Sequence, residues 1–483
     1  STTSFGPADT WYLNSNGSNS NYANSGTSVS GIAVAAAGDV MQIALDLDNQ
    51  KLWFGNDDTW YTGEPDNGST PAYTNLIAGE RYIPIFGGHS AGTHMQATIV
   101  LDEDDWTYTV PTGFTSLSTA NLPTPAIINP EEHFYSEVVT HNGTSTASTC
   151  TFNLDTYEWL AIIKNTTGAA EGWYMIDSLR GVTKVVFMNT TAAETTDANV
   201  LTVSGTTFTL GSTLGAKNYL VEFHKAGLAS ATASNTEGSL NTTATSVNLV
   251  SGFAISTYTG TGSNTNYGHG LNSAPEWTIT KLRVGSTQGN YAWHVGLGAG
   301  TKVIYPHLNN AIDTAASIWN STVPSATLNS LGTGVGVNTN TYTYVNWSWH
   351  SVEGYSAFGS YTGNGNTDGP VINLGGSPKQ MTVKATTDTT SWFLQTTTVD
   401  TFNEMSSYLQ PNATNAVASG ATTKVDYVSS GVKGRWTSAS LNAAANFIYM
   451  AYGIQPLTDS AINQVRADGR GSAPLAIATG GTI

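Results

Sequence analysis

The sequence predicts an all-β protein made of tandem β-sandwich domains, and three observations carry that reading. Charged residues make up only 11% of the 483-residue chain, against about 25% in an ordinary globular protein. Aromatic residues stay at 10%, with 13 Trp and 22 Tyr, beside 50 Gly. Thr, Tyr and Trp suit a half-buried pleated surface, and Gly, Asn and Ser suit the turns between strands. This balance also excludes a disordered chain. The second observation is period-two alternation. In YVNWSWH, Tyr344, Asn346 and Ser348 alternate with Val345, Trp347 and Trp349, which puts both tryptophans on one strand face. Helix is therefore expected below about 10% of residues. The third observation is that the chain repeats itself.

Tyr258 in STYTGTGSN and Tyr361 in GSYTGNGNT form one such pair. Lys281 with Lys384 and Tyr344 with Phe447 keep the same separation, and Trp293 with Trp392 comes close to it. A more divergent copy lies upstream in VTHNGTS (139–145), WLAIIK ending at Lys164, GWYMID (172–177) and YLVEFH (219–224). GWYMID matches AWHVGL (292–297) and SWFLQT (391–396), so Trp173, Trp293 and Trp392 are expected at equivalent positions of one shared sandwich. Units of roughly 100 residues are domains and not solenoid turns. Short strands between turn clusters suit a sandwich or barrel. The Trp347–Trp349 pair reads as sheet core in preference to a sugar-stacking platform, since the other copies carry bulky residues there too.

Boundaries follow from composition. TANLPTPAIINPE (119–131) carries Pro123, Pro125 and Pro130, which disfavour interior strand and mark a linker. A polar Ser/Thr/Asn stretch (227–252) joins the first two copies. The expected organisation is a partial sandwich at 1–120, repeats at 121–228, 229–352 and 353–456, and a tail at 457–483 too small for its own core.

A net charge of −17 leaves no basic stripe for nucleic acid and disfavours an anionic membrane. The single Cys150 excludes an internal disulfide framework and a Cys-based metal site. No apolar run approaches the ~18–20 residues of a membrane span, and the first residues lack a signal-peptide pattern.

GDVMQIALDLDNQKLWFGNDDTWY (38–61) alternates around a turn at Asp48-Asn49-Gln50, a hairpin signal. RYIPIFGG (81–88) and 95–118 read as further strands. GDVMQIALDLDNQKLWF, YIPIF and YTVPTGFTSL together resemble the second half of a SPRY domain, a bent β-sandwich used in protein recognition; either the sequence begins inside a longer polypeptide or this is a reduced version of that domain. NLPTPAIINPEEHF, TTAAETTDAN (190–199), VEGYSAFGSYTGNG (352–365) and FIYMAYGIQP resemble tailed-bacteriophage proteins in which a SPRY-like region precedes repeated β domains. That resemblance, which reaches to about residue 456, implies a virion component exposed on the particle exterior and names no active site.

GHSAG (88–92) matches the nucleophile-elbow pattern, but a strand-like alternation follows Gly92 where that chemistry needs a helix. Ser90 is therefore read as a loop residue. The acidic runs DLDN (46–49) and DEDD (102–105) lack the spaced calcium loop and read as solvated turns. The nine His show no zinc spacing; His89 and His94 read as surface residues. No catalytic residue, metal ligand or cofactor is assigned. A paired-carboxylate glycosidase gains no support from any pattern. One loop, GNDDTWYTGEPDNGSTPAY (55–73), sets aromatics among Asp, Gly and Pro, and exposed aromatics anchor interfaces. Asp57, Asp58, Trp60 and Tyr61 are the candidate binding residues.

The expected function is a non-enzymatic structural and adhesive component of a phage tail fibre or appendage, touching a host-surface glycan or protein and other virion proteins. The alternatives are a capsid-bound decoration or head fibre, and a polysaccharide depolymerase. Association into a homo-oligomer is expected, with the trimer suggested by the resemblance to phage fibres.

Overall fold

The alternating Thr-, Val-, Tyr- and Trp-rich runs fold as strands, and the chain is all-β: strand accounts for 40% and helix for 6%. The computed structural model describes residues 12–15, 20–24, 27–32, 36–77, 98–100, 105–116, 121, 125–436 and 438–456. They fall into two compact units, one of residues up to 123 and one within 124–462.

In the first unit β1 (Tyr12–Ser15), β2 (Ser20–Asn24) and β3 (Thr27–Ile32) pair in chain order. A second sheet joins β4 (Met41–Asp46), β5 (Lys51–Asn56) and β6 (Thr59–Trp60). The expected hairpin is there, with Ile43 opposite Phe54. Asp46 ties its turn by accepting from the backbone and side-chain amides of Asn49. Leu52, Phe54, Tyr73 and Leu76 make a small core. Residues 106–116, expected as strand, are turn and irregular backbone instead. Pro111 offers no N–H to a ladder and Gly113 takes φ 86°, so pleated pairing stops there. The YIPIF run, Ser90, His89, His94, Asp102 and the tail at 457–483 lie outside the described residues.

The second unit holds three modules. The first contains β7 (Phe134–Thr140), β8 (Thr146–Thr149), β9 (Tyr157–Asn165), β10 (Tyr174–Asp177) and β11 (Lys184–Phe187). It continues with β12 (Thr195–Thr196), β13 (Leu201–Ser204), β14 (Thr207–Leu210) and β15 (Asn218–Leu228). The second contains β16 (Ala244–Asn248), β17 (Phe253–Thr259), β18 (Thr265–Gly268), β19 (Trp277–Val284) and β20 (Asn290–His294). After them come β21 (Lys302–Val303), β22 (Asp313–Thr314), β23 (Leu328–Leu331) and β24 (Thr343–Trp349). The third contains β25 (Ser356–Thr362), β26 (Val371–Asn373), β27 (Gly376–Ser377), β28 (Gln380–Ala385) and β29 (Phe393–Thr396). It ends with β30 (Ser407–Tyr408), β31 (Ala418–Ser419), β32 (Val425–Val428), β33 (Gly431–Gly434), β34 (Asn446–Tyr452) and β35 (Gln455–Pro456).

The main sheets share one order: β7-β15-β9-β10, β17-β24-β19-β20 and β25-β34-β28-β29. In each, the last long strand lies between the first and the third, all antiparallel. The smaller sheets match as well, β8-β14-β13 against β26-β33-β32 and the shorter β18-β23. Ladder register makes Lys164, Lys281 and Lys384 equivalent, opposite Leu220, Val345 and Ile448.

These last strands are buried on both faces, which is why they read as bulky throughout. Tyr219, Val221 and Phe223 pack into the first module's own core with Trp159 and Phe208. Leu220, Val345 and Ile448, on the other face, belong to one core shared by all three modules. Trp347 and Trp349, 0% and 4% exposed, are core as expected, but they face that shared core. At its centre His224, Trp349 and Tyr452, one from each module at the same register, form a triangle. Their ring centroids are 5.7, 4.9 and 6.3 Å apart. The second unit thus closes around a pseudo-threefold axis.

The YTG echo has a local cause. Tyr258 and Tyr361 donate their hydroxyls to the Val337 and Leu441 carbonyls of short helices α1 (Val335–Asn338) and α2 (Ala439–Asn442). A Cβ on Gly260 or Gly363 would lie 2.2 Å from the Thr339 oxygen or 2.0 Å from that of Ala443. Only glycine fits there.

Candidate functional site

In the loop of the first unit, Asp57 and Asp58 are the two turn residues between β5 and β6, with φ 47° and 62°. Positive φ at both central residues is what a tight hairpin turn of matching twist requires, and Asp tolerates it better than most residues. The Asp57 carboxylate accepts from the Val40 N–H at 2.9 Å and the Tyr108 hydroxyl at 3.3 Å. The Asp58 N–H donates to Gln42 Oε1 at 2.9 Å. Both aspartates are exposed while Trp60 and Tyr61 are half-buried. Trp60 lies over Gly55, where a Cβ would sit 3.1 Å from its ring. Tyr61 packs on the small core; burial, then the charges of Asp39 and Asp57, hold its hydroxyl above the ordinary tyrosine range. The structure therefore brings the four residues onto one hairpin end, with an acidic tip and an aromatic base.

Buried polar side chains also gather between the modules of the second unit. At the first seam, between modules one and two, Lys281 donates to the Thr190 carbonyl at 3.0 Å, and Asn290 to those of Phe187 and Met188 at 3.1 and 2.6 Å. The Glu194 N–H donates to the Arg283 carbonyl. Arg180 pairs with Asp177 at 2.6 Å and with Glu194 at 2.9 Å; Arg283 pairs with Glu194 at 2.8 Å. Burial pushes the Glu194 carboxyl up, but the Arg283 hydrogen bonds and the Arg180 and Arg283 charges outweigh it and hold it below its usual range. Trp347 donates to Asp177 at 3.1 Å.

The second seam, between modules two and three, uses neutral groups. Trp392 donates to the Tyr305 and Leu308 carbonyls at 3.2 and 3.1 Å, and Ile312 N–H donates to the Thr386 carbonyl. His294 accepts from Gly296 N–H at Nδ1, which leaves Nε2–H to donate to the Tyr449 carbonyl at 3.1 Å. The third seam closes module three on module one. Trp173 donates to the Gln410 and Ala413 carbonyls, Lys164 donates to Thr414, and the Val417 N–H donates to Thr166. At each seam a loop of one module thus docks on the hairpin of the third and fourth strands of the next, in a closed cycle.

Trp173 stands one step beyond the Tyr174–Ile163 pair and Trp392 one step beyond Phe393–Val383, so both face the equivalent lysines. The residue facing Lys281 is Asn290. Trp293 is not equivalent to the other two tryptophans: it sits further along β20, and its indole donates to the Ala299 carbonyl within its own module. Matching tryptophan to tryptophan shifted that part of the alignment. The three lysines are fully buried, and burial lowers each to about 8. Similarity marked them as register points but did not reveal their role as donors to strand-end carbonyls.

An open dish of about 440 Å³ in module three is lined by Asp368, Glu404, Lys424 and Arg435. There Asp368 pairs with Lys433 at 2.7 Å, Glu404 with Lys424 at 2.5 Å and Asp426 with Arg435 at 2.7 Å. Among the described residues no three His, Cys, Asp or Glu side chains gather as metal ligands.

A family model described as a domain of unknown function, DUF7483, matches residues 129–456. The chain belongs to the DUF7483 family. The matched span begins and ends with the three-module cycle, so the family unit is the closed cycle rather than a single module. No curated protein and no solved structure matches the chain.

Proposed function

We propose that this DUF7483 chain is a non-enzymatic structural and adhesive component of a bacteriophage tail fibre or similar appendage. The observation that carries this reading is the closed cycle itself. Buried donors such as Lys281, Asn290, Trp392 and Trp173, and the Glu194 carboxylate, are engaged across the seams between modules, which suits a stiff building block. The cycle supplies within one chain the threefold arrangement that a trimeric fibre obtains from three. The β5–β6 hairpin end, with Asp57, Asp58, Trp60 and Tyr61, supplies the contact with a host-surface glycan or another virion protein.

The test is antibody labelling of intact particles together with binding of purified protein to host cells. Label on an appendage, and binding that falls by about 30-fold or more in Trp60→Ala as for an interface hot spot, are the expected results. Shortened polysaccharide chains after incubation with the protein would instead make it a depolymerase. The pseudo-threefold axis favours a second reading, a capsid decoration seated on a threefold lattice site; label over the head would select it. Light scattering of the purified chain reports whether further copies associate.

A further inference from the structure

The third seam contains a carboxyl group that no ion pair among the described residues neutralises. Glu222 on β15 is 0% exposed and Gln380 on β28 is 3% exposed. The Gln380 amide donates to Glu222 Oε2 at 3.4 Å across the seam. The remaining oxygens, Glu222 Oε1 and Gln380 Oε1, are both buried without a hydrogen-bond partner among the described residues. Glu222 belongs to no ion pair among the described residues.

Two orphaned acceptors on adjacent side chains are costly as they stand, because a carboxylate only accepts and a carbonyl oxygen only accepts. One proton removes both defects. We propose that Glu222 binds a proton at neutral pH and forms a carboxylic acid–amide pair with Gln380, in which Glu222 O–H donates to Gln380 Oε1 and Gln380 N–H donates back. This proton site latches module three to module one and closes the cycle.

The surroundings fit a neutral acid. Opposite Glu222 in the ladder lie Ser136 on β7 and Ile162 on β9. Ser136 also bonds Thr398 of module three at 2.9 Å. The titratable groups turned toward it are Tyr452 on β34, which burial, Tyr355 and Glu222 hold in its neutral form, and His224 on its own strand, which burial keeps uncharged. Among the described residues no lysine or arginine forms an ion pair with Glu222. Burial raises Glu222 to about 8, outweighing the hydrogen bonds of Gln380 and Ser136, which favour the charged form.

The sign follows from linkage. A carboxyl whose folded pKa is raised from 4.5 to about 8 contributes stability that is complete below 4.5 and lost as pH rises to about 8. The loss reaches at most about tenfold in the folded-to-unfolded ratio per pH unit.

The test is amide hydrogen exchange on the full wild-type chain, corrected for intrinsic rate, between pH 6 and 9. The N–H groups of Val417 and Glu171, which donate across the third seam to Thr166 and Thr414, report the latch. Ile312 and Glu194 report the other two seams. Expected is a loss of protection at Val417 and Glu171 that follows one proton, with Ile312 and Glu194 retained. In Glu222→Gln, whose amide mimics the protonated acid, that pH dependence vanishes. Equal loss at all three seams, or no loss at the third, overturns the proposal. Unfolding of wild type against the variant across the same range supplies a second reading: a stability difference that is flat with pH also overturns it.

Discussion

At the first seam Asp177, Arg180, Glu194 and Arg283 form a buried ion network, whereas at the second His294 and Trp392 make only neutral bonds to carbonyls. The geometry is nonetheless shared. In both, a loop beyond the fourth strand of the shared order presents backbone carbonyls to the hairpin of the third and fourth strands of the next module. A buried carbonyl must find a donor, and the donor is Asn290 at one seam and an indole at the other two. The constant element is therefore backbone supply of acceptors; the side-chain chemistry that answers it varies. Neutral donors are sufficient to close a seam. The ion network is an elaboration whose removal exposes its own desolvated charges.

That difference is sharpest in Arg180→Ala. Arg180 has no exposed side-chain surface and serves Asp177 and Glu194 together. Removing it strands buried carboxylates, and breaking one side of such a pair costs about 3–5 kcal/mol. Arg283 keeps 20% side-chain exposure, so water replaces part of what Arg283→Ala removes, and the loss should be about 1–3 kcal/mol. Urea midpoints of the two variants check the order. Equal losses would mean that the network behaves as a surface pair.

Acid should strike the neutral seam. Burial lowers His294 and His224 to about 3, and His133, His269 and His307 to about 4, from an ordinary 6.5. A base with a depressed folded pKa contributes stability present above its unfolded value and lost as pH falls. Stability should therefore decline from about pH 6.5 toward 4, by at most about tenfold per pH unit for each histidine. His294 sits in the second seam and His224 in the central triangle, so the second seam should open before the ion network is touched. Exchange at Ile312 against Glu194, followed from pH 7 to 5, reads this directly. Loss at Glu194 first would reverse the comparison.

The sheet content, the hairpin around Asp48 and the repeated register were legible because alternation and turn residues are local signals. The burial of Trp347 and Trp349 was legible too, but not the face they serve: alternation places two residues on one side without saying what covers it. The cycle was not legible, since the carbonyls that Trp173 reaches, at Gln410 and Ala413, are remote in the chain and carry no side-chain signature. Glu222 looked like any other acid. Of the loop candidates, the hairpin turn at Asp57 and Asp58 follows from its flanking strands, while Tyr61 packs on a small core that includes Tyr73 and Leu76, residues of chain that returns later.

The smallest effect tests the corrected alignment. Trp173 and Trp392 each send one indole N–H to two carbonyls of another module, while Trp293 sends its own to Ala299 nearby. Substituting Phe keeps most of the buried ring and removes the donor, a loss of about 1 kcal/mol of hydrogen bonding, with up to about 3 where the carbonyl stays dry. Trp392→Phe should loosen the second seam and Trp173→Phe the third, seen as faster exchange at Ile312 and Val417 respectively. Trp293→Phe should leave both amides unchanged, since its bond closes a turn within module two. If Trp293→Phe instead loosened a seam as the other two do, the three tryptophans would be equivalent after all, and Asn290 would not be the donor that takes their place at the first seam.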